Sequence, residues 1–274
     1  MNTTRKSVAA LLLALAVTGC ASPTPEQQTD AVLTAYEKGD YEETLRLARP
    51  LAEAGSAMEQ FVLGNMYDTG TGVAQDFAQA AAWYRKAADQ GKPEAQNNLG
   101  SMYLHGRGVP QDPAEAVRWF RKAAELGKVE AQVNLANAYR NGRGAPQDDA
   151  EATKWYRRAA EQGDAGAQFN LGYAYHFGLG EVKDAAQAAG WYRKAAAQGN
   201  AQAQVNLGMS YLNGWGVPQD HAQAHMWFNL AAAGAADDDT RSRAARNRDA
   251  AAASMTPAQV ADAQEMAREW KPAP

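Results

Sequence analysis

The sequence predicts an all-α protein, an α-solenoid of helix-turn-helix repeats, and three observations lead to this prediction. Tryptophan recurs every 36 residues, at Trp83, Trp119, Trp155, Trp191 and Trp227. Within each interval, apolar residues are spaced three and four apart, as on one face of a helix. Alanine, the residue with the highest helix propensity, makes up about a fifth of the chain. A period of this length is typical of stacked helix pairs.

The 36-residue period extends to other residue types. Each tryptophan is followed by a second aromatic residue, at Tyr84, Phe120, Tyr156, Tyr192 and Phe228. The same interval separates Tyr67, Tyr103, Tyr139, Tyr175 and Tyr211, and also Gly70, Gly106, Gly142, Gly178 and Gly214. Aspartates follow it too, at Asp76, Asp112, Asp148, Asp184 and Asp220.

One unit shows why each part of the repeat folds as it does. The first helix has one apolar face, made by Ala95, Leu99, Met102 and Tyr103. Gly106 ends this helix, because glycine readily takes the left-handed conformation of a helix C-terminus. Asp112 is the expected N-cap of the second helix, followed by Pro113 and by Glu115, which would complete a capping box. The buried face of the second helix is predicted to contain Ala116, Trp119, Phe120 and Ala123.

These positions carry a family resemblance. The pattern Ala-x-x-x-Leu-Gly-x-x-Tyr-x-x-Gly-x-Gly-Val-x-x-Asp-x-x-x-Ala-x-x-Trp-Tyr-x-Lys-Ala-Ala resembles the Sel1-like repeat, a relative of the tetratricopeptide repeat. Five full units run from about residue 55 to residue 234, and residues 31–55 resemble a shortened first unit. The residues that depart from this repeat pattern are Glu59, Ala136 and the segment 181–183. We therefore assign residues 31–234 to the solenoid.

Residues 235–274 lie outside the repeat register. We expect a charged, alanine-rich helix over residues 236–253 and a last helix from Pro257 to Trp270. The apolar face of that last helix contains Val260, Ala263, Met266, Ala267 and Trp270. Because a solenoid leaves its last apolar face open, these helices are predicted to cap it.

The N-terminal residues predict the subcellular location of the protein. Arg5 and Lys6 precede an apolar run of about ten residues, too short to span a bilayer and typical of an export signal over residues 1–19. The segment Val17-Thr18-Gly19-Cys20 resembles the bacterial lipobox, which implies a lipid anchor on Cys20. Ala21 follows in place of the aspartate that this resemblance associates with retention in the inner membrane. The alternative is a soluble secreted protein whose signal ends near a cysteine.

We therefore expect a cell-envelope lipoprotein of the outer membrane that faces the periplasm, with residues 20–30 as an extended tether. Without its signal segment the chain changes from a formal net charge of −4 to −6. This acidic balance disfavours nucleic acid as a partner.

Few residues suggest chemistry. His221 and His225 are four residues apart on one helix, but no third ligand is evident, so we predict a solvated surface rather than a metal site. The recurring Gly-x-Gly follows a helix and is predicted to be a turn rather than a phosphate cradle. No Ser-x-x-Lys or Gly-x-Ser-x-Gly motif occurs. We expect no catalytic residues, no metal and no cofactor.

Positions that differ between units are the candidates for partner binding. The fourth unit carries a second aromatic stripe, which is either helix packing within the stack or an exposed patch. Trp215 in the fifth turn has the same two interpretations. The candidate binding residues are Phe169, Tyr173, His176, Phe177, Arg140, Leu104, Leu212 and Trp215.

A ladder of amides also recurs, at Gln60, Gln96, Gln132, Gln168 and Gln204 and at Asn98, Asn134, Asn170 and Asn206. Because these amides are shared by the units, we expect them to bond the backbone between repeats rather than to clamp an extended peptide.

The resemblance implies a non-enzymatic adaptor that binds a peptide or protein on its concave face. Two alternatives remain open: an envelope enzyme acting on β-lactam or cell-wall substrates, and a structural lipoprotein that binds peptidoglycan.

Overall fold

A computed structural model describes residues 23–272, and this part of the chain contains fourteen helices and no strand. The helices are α1 (Pro25–Glu37), α2 (Tyr41–Glu53), α3 (Ala57–Thr69), α4 (Phe77–Asp89), α5 (Pro93–His105), α6 (Pro113–Glu125), α7 (Val129–Asn141), α8 (Asp149–Glu161), α9 (Ala165–Phe177), α10 (Ala185–Ala197), α11 (Ala201–Asn213), α12 (His221–Gly234), α13 (Asp238–Ala252) and α14 (Pro257–Glu269). Cys20 and the expected signal segment lie outside the described residues.

Each helix packs mainly on its neighbours in the chain, which produces the predicted solenoid of helix pairs. The apolar faces form a series of clusters along the stack rather than one central core. Leu99 is buried with Trp119 in one cluster, and Phe120 is buried with Leu135 in the next. The consecutive aromatic residues of α6 therefore connect two neighbouring units.

The turn between the two helices of a unit needs glycine twice. The first glycine is the left-handed C-cap of the first helix, as at Gly142 with φ of 63°. The second lies against the preceding unit, where a Cβ on Gly144 would overlap the carbonyl oxygen of Pro113. The Gly-x-Gly is thus a turn, as predicted, and its second residue also permits close approach of two units.

The second helices begin as predicted, with one difference. The Asp112 carboxylate accepts hydrogen bonds from the backbone N–H groups of Ala114 and Glu115. The Glu115 side chain pairs with Arg118 at 2.9 Å instead of reaching back to the cap. The capping box that we expected at α6 is therefore only half formed, because an exposed cation one turn away competes for the carboxylate.

Two side-chain ladders join consecutive units. Arginines at the repeat interval donate to tyrosine hydroxyls of the following unit: Arg49 to Tyr67, Arg85 to Tyr103, Arg121 to Tyr139, Arg157 to Tyr175 and Arg193 to Tyr211. The buried glutamines donate to carbonyl oxygens at the end of the preceding unit: Gln60 to Ala52, Gln96 to Ala88, Gln132 to Ala124, Gln168 to Ala160 and Gln204 to Ala196.

The prediction for the amides is confirmed for the glutamines and wrong for the asparagines. Asn134 donates to the Asn97 side chain at 2.9 Å, and Asn170 accepts from Arg140. Each asparagine follows a glutamine by two residues, so it lies on a different face of the helix, and it is half-buried. The asparagine amides therefore meet side chains rather than the backbone of the neighbouring unit.

The N-terminal end differs from the expected tether. Helix α1 begins at Pro25, where Thr24 and Gln27 form a reciprocal capping box. Residues 25–30 are therefore helical, because proline at the first position and a threonine cap favour a helix start. Glu59, which departs from the repeat, is fully buried and accepts a hydrogen bond from Thr29 at 2.6 Å, which fastens α1 to α3.

The C-terminal helices cover the end of the stack. Helices α13 and α14 both pack on α12. Ala263 and Ala267 are buried, and the Trp270 ring meets Trp227 edge-on with 6.1 Å between centroids. The apolar face expected for α14 thus covers the fifth unit.

The prediction of a solvated histidine pair is wrong for His225. Its side chain is buried beneath α13, and burial lowers its pKa, with Arg248 adding to the effect and Asp249 opposing it. Sequence spacing placed His225 on a second helix but gave no sign that a non-repeat helix would cover it. Over residues 23–272 no helix combines the length and apolarity needed to cross a bilayer.

Candidate functional site

A groove crosses the last two units where α9, α11 and α13 face one another. Its larger part has a volume of about 500 Å³, and a smaller recess of about 270 Å³ adjoins it. Tyr173, Asn206 and Arg243 line both parts, so the two form one continuous groove. The larger part is otherwise lined by His176, Phe177, Tyr192, Val205, Met209, Trp215 and Asn247, and the recess by Arg140, Phe169, Asn170 and Gln202.

The aromatic stripe of the fourth unit is largely exposed in this groove. Phe177 is 55% exposed, Trp215 44% and Tyr173 37%. Phe169 and His176 are half-buried, and the Phe169 ring packs 6.1 Å from Tyr192. The stripe therefore divides between the two interpretations: Phe169 contributes to helix packing, whereas the other rings form an open surface.

The exposed rings form a connected cluster. The centroids of Tyr173 and Phe177 are 4.4 Å apart, and His176 lies 4.5 Å from Phe177. His176 also meets Trp215 edge-on at 5.7 Å, which links α9 to the fifth turn. Rings held against one another in this way offer a large apolar contact area at little cost in side-chain entropy.

The groove also contains polar and cationic groups. Arg140 donates to Asn170 Oδ1 at 2.8 Å, and its guanidinium lies 5.8 Å from the Tyr156 ring centroid. Arg243 enters from α13. Among the described residues that line the groove, none is aspartate or glutamate. The site is therefore an aromatic surface with positive charge beside it.

Burial shifts two titratable groups in the groove. It lowers the pKa of His176, and the charge of Lys183 lowers it further, so the imidazole is neutral at pH 7. Burial raises the pKa of the Tyr192 hydroxyl, an effect that the Asn206 amide opposes. Neither group has a partner arrangement of the kind that a catalytic acid or base requires.

The structure brings six of the eight predicted binding residues to this groove: Arg140, Phe169, Tyr173, His176, Phe177 and Trp215. Leu104 and Leu212 do not line it. Leu104 packs against the apolar cluster formed by residues between 116 and 171, and Leu212 against the cluster formed by residues between 205 and 251. That these two residues bind a partner stays a prediction, made from their repeat position.

Sequence reasoning missed the residues that α13 contributes. Arg243 and Asn247 are four residues apart and so share one face of that helix. This spacing was readable, but nothing in the repeat register showed which unit the face would meet. Over the described range, no group of three histidine, cysteine, aspartate or glutamate side chains is placed to hold a metal ion.

The sequence of this chain matches a known repeat family. The model of the Sel1 repeat matches five consecutive segments, residues 60–92, 93–128, 129–164, 165–200 and 201–235. This chain belongs to the Sel1 repeat family. No curated protein matches it in sequence.

Solved structures of Sel1 repeat proteins resemble this one. A Sel1 repeat protein from Oxalobacter formigenes is 33% identical, with 89% of this chain and 100% of that chain covered and a TM-score of 0.72. The protective antigen c5321 of uropathogenic Escherichia coli is 27% identical, with 90% and 76% covered and a TM-score of 0.44. Sel1 repeat proteins are typically scaffolds for protein-protein interaction, and the family is generally non-enzymatic.

Proposed function

We propose that this Sel1 repeat protein is a non-enzymatic adaptor of the bacterial cell envelope that holds a peptide or protein partner in the groove between α9, α11 and α13. The observation that supports this proposal is the exposed ring cluster of Tyr173, Phe177 and Trp215. Clustered apolar side chains left open on a folded protein are typical of interaction sites, and aromatic residues dominate the binding energy of such sites.

The rigidity of the scaffold supports the same function. Each unit is fastened to the next by an arginine-to-tyrosine bond and by a glutamine-to-carbonyl bond, so the helices that line the groove are held in fixed register. A groove formed before binding loses little conformational entropy when a partner enters.

The proposed address rests on Cys20, the only cysteine of the chain. Since α1 begins at Pro25, Cys20 is five residue steps from the first helix, a distance of at most about 18 Å for an extended chain. A lipid on Cys20 would therefore hold the N-terminal end of the solenoid close to the membrane surface. The groove lies at the other end of the repeats.

The partner test is a crosslinking pull-down from intact cells. We expect the unaltered protein to capture a specific partner and the Tyr173→Ala/His176→Ala/Phe177→Ala variant to lose it. Leu126→Ala/Val182→Ala is the matched control, because both of its sites are exposed and lie outside the groove. Equal capture by the triple variant would contradict the proposal.

A triple substitution can also disturb folding, so the melting temperature is measured for each protein. If the triple variant melts much earlier, Phe177→Ala/Trp215→Ala replaces it, because these are the most exposed rings of the cluster.

The lipid anchor on Cys20 and the absence of catalytic activity are tested in separate experiments. We expect metabolic labelling with palmitate to mark the protein and Cys20→Ala to abolish the label. A protein that takes up no label would contradict the lipid anchor. We expect no turnover of a panel of β-lactams and cell-wall fragments, and turnover by the purified protein would contradict the non-enzymatic role.

A further inference from the structure

Two arginines from distant parts of the chain line the same recess of the groove. Arg140 lies in the last turn of α7, and Arg243 lies on α13, outside the repeats. Two cations that share one recess repel each other, and this repulsion is relieved when an anion lies between them.

Neither guanidinium has a carboxylate partner within residues 23–272. Arg140 uses one N–H on Asn170 and keeps further donors free. The Nε–H of Arg243 is buried with no acceptor in this range, which is rare for a charged donor. Six of the sixteen arginines in this range do pair with an acid, as Arg157 does with Glu181 at 2.6 Å.

The nearby acids do not neutralise this pair. Asp149 lines an adjoining recess with Arg140 but forms no ion pair with it. The pKa of Asp237 is lowered mainly by its hydrogen bonds with Thr240, and the charge of Arg243 adds a smaller contribution. The guanidinium pair therefore offers donors to an anionic group from outside the chain.

The cationic recess is continuous with the ring cluster through Tyr173 and Asn206. A peptide that fills both parts would place a carboxylate in the cationic recess and a large apolar side chain on the rings. The guanidinium group of arginine binds a carboxylate through two parallel hydrogen bonds. Exposed aromatic rings bind aromatic or branched aliphatic side chains. Asn170, Gln202 and Asn206 add amides that can bond the main chain of an extended segment.

We propose that the groove selects an acidic peptide segment, in which a carboxylate lies beside an aromatic or large aliphatic side chain. This inference rests on the proposed function, because it names the chemistry of the peptide that the groove holds. The carboxylate is either that of a side chain or that of a chain terminus, and both supply the same anion.

The test selects peptides with the purified full-length protein. A random dodecapeptide library with free C-termini is panned, and the frequency of aspartate and glutamate next to Phe, Tyr, Trp or Leu is compared with the unselected library. We expect enrichment of these pairs, or of a C-terminal apolar residue, by several-fold. The most enriched peptide is then synthesised with a fluorescent label, and its Kd is measured by polarisation.

Two altered probes distinguish the sources of the carboxylate. One carries asparagine or glutamine at each acidic position, and the other carries an amidated C-terminus. We expect one of them to bind at least about ten-fold more weakly, since a hydrogen bond to a charged group is lost. Arg140→Gln and Arg243→Gln should each weaken the unaltered probe by a similar factor.

Arg246→Gln is the matched control, because it removes the same charge from an exposed position one turn along α13. We expect its Kd to stay within about two-fold. Selected peptides that are neutral or basic, or acidic peptides that bind equally to both groove variants, would overturn this inference while leaving the peptide-binding function intact. If panning enriches no peptide, this inference fails, whereas the crosslinking pull-down still tests the proposed function separately.

Discussion

Gln162 donates its side-chain amide to Oε1 of Gln132 at 2.8 Å, which joins the two helices of one repeat. The equivalent bonds join Gln90 to Gln60 and Gln198 to Gln168. Leu126 occupies this position in the second unit, and in the described range the buried Oε1 of Gln96 has no donor. The fifth repeat has Gly234 at this interval, and the buried Oε1 of Gln204 has no donor in the described range either. Two of the five repeats therefore lack a bond that the other three have.

The first prediction concerns a substitution, Leu126→Gln, that would supply the missing bond in the second repeat. Leu126→Gln should raise the free energy of unfolding by about 1 kcal/mol and the melting temperature by about 3 °C, because an unsatisfied buried acceptor gains a donor. The substitution also removes an apolar side chain that is 58% exposed. Thermal denaturation followed by circular dichroism measures the change.

Leu126→Ala is its control, since it removes the leucine but adds no donor, and it should stay within about 0.5 kcal/mol of the unaltered protein. The reverse change, Gln162→Leu, should destabilise by about 1–3 kcal/mol. Equal effects of Gln and Ala at position 126 would refute the explanation.

The second prediction concerns the arginine ladder at its fourth step. Arg157 donates to the Tyr175 hydroxyl at 2.9 Å and to Glu181 at 2.6 Å, and it is only partly exposed. A double-mutant cycle of Arg157→Gln and Tyr175→Phe should give a coupling of about 1 kcal/mol. The exposed Arg193–Tyr211 pair, at 3.2 Å, should couple more weakly. Additive effects at the fourth step would show that this bond does not hold the units together.

The third prediction separates two kinds of glycine. Gly144→Ala should destabilise by about 3 kcal/mol or more, because φ of +83° is strained for alanine and its Cβ would overlap the Pro113 backbone. Gly163→Ala should cost only about 1–2 kcal/mol, because φ is +98° but the space around it is open. Urea denaturation of both variants tests this ranking, and comparable losses would argue against close contact of units at Gly144.

The fourth prediction concerns pH. Burial lowers the pKa of His225 below its ordinary value of 6.5, so the unfolded chain binds a proton more readily than the folded chain. The stability that neutral His225 contributes is therefore present above pH 6.5 and is lost as the pH falls through the lower, folded-state pKa. The urea midpoint should fall between pH 7.5 and pH 5.

The variant His225→Gln should show a smaller fall over the same range. His176 titrates in the same direction because burial lowers its pKa too, so His176→Gln is measured beside it. If the two pH profiles of His225→Gln and the unaltered protein coincide, His225 is not the group that responds.

The fifth prediction tests the exposure of the ring cluster in solution. Phe177→Ala should change the free energy of unfolding by less than about 1 kcal/mol, because more than half of its side chain already contacts water. Phe228→Ala should cost about 3–5 kcal/mol, since that ring is fully buried. Similar losses at both positions would mean that Phe177 is covered in solution.

The repeated positions made most of the fold predictable. Gln132 and its equivalents donate to the same backbone carbonyl in every unit, so their recurrence at 36 residues indicates their role in packing. The helices and turns of the repeats follow from the same pattern, whereas the C-terminal cap was predicted from its own helix start at Pro257 and its own apolar face. The start of α1 at Pro25 was not predicted, because the first unit is too altered for the register to reach it.

The candidate site was less predictable because it depends on what does not repeat. The rings of α9 could be read as an outlier of the fourth unit, yet their exposure depends on how closely α11 and α13 approach. Arg243 had no equivalent in any unit, so only the fold could bring it beside Arg140. Leu104 lies outside the groove, since a variable position can also be filled by local packing.

The contribution of α13 to the groove limits how this array can change in length. A unit added or removed before α7 would leave Arg140, Tyr173 and Arg243 in place. A unit inserted between α12 and α13 would carry Arg243 away and present α9 with another repeat helix in its stead. Duplication, the ordinary way in which repeat proteins lengthen, is therefore compatible with this groove at one end of the chain and destroys it at the other.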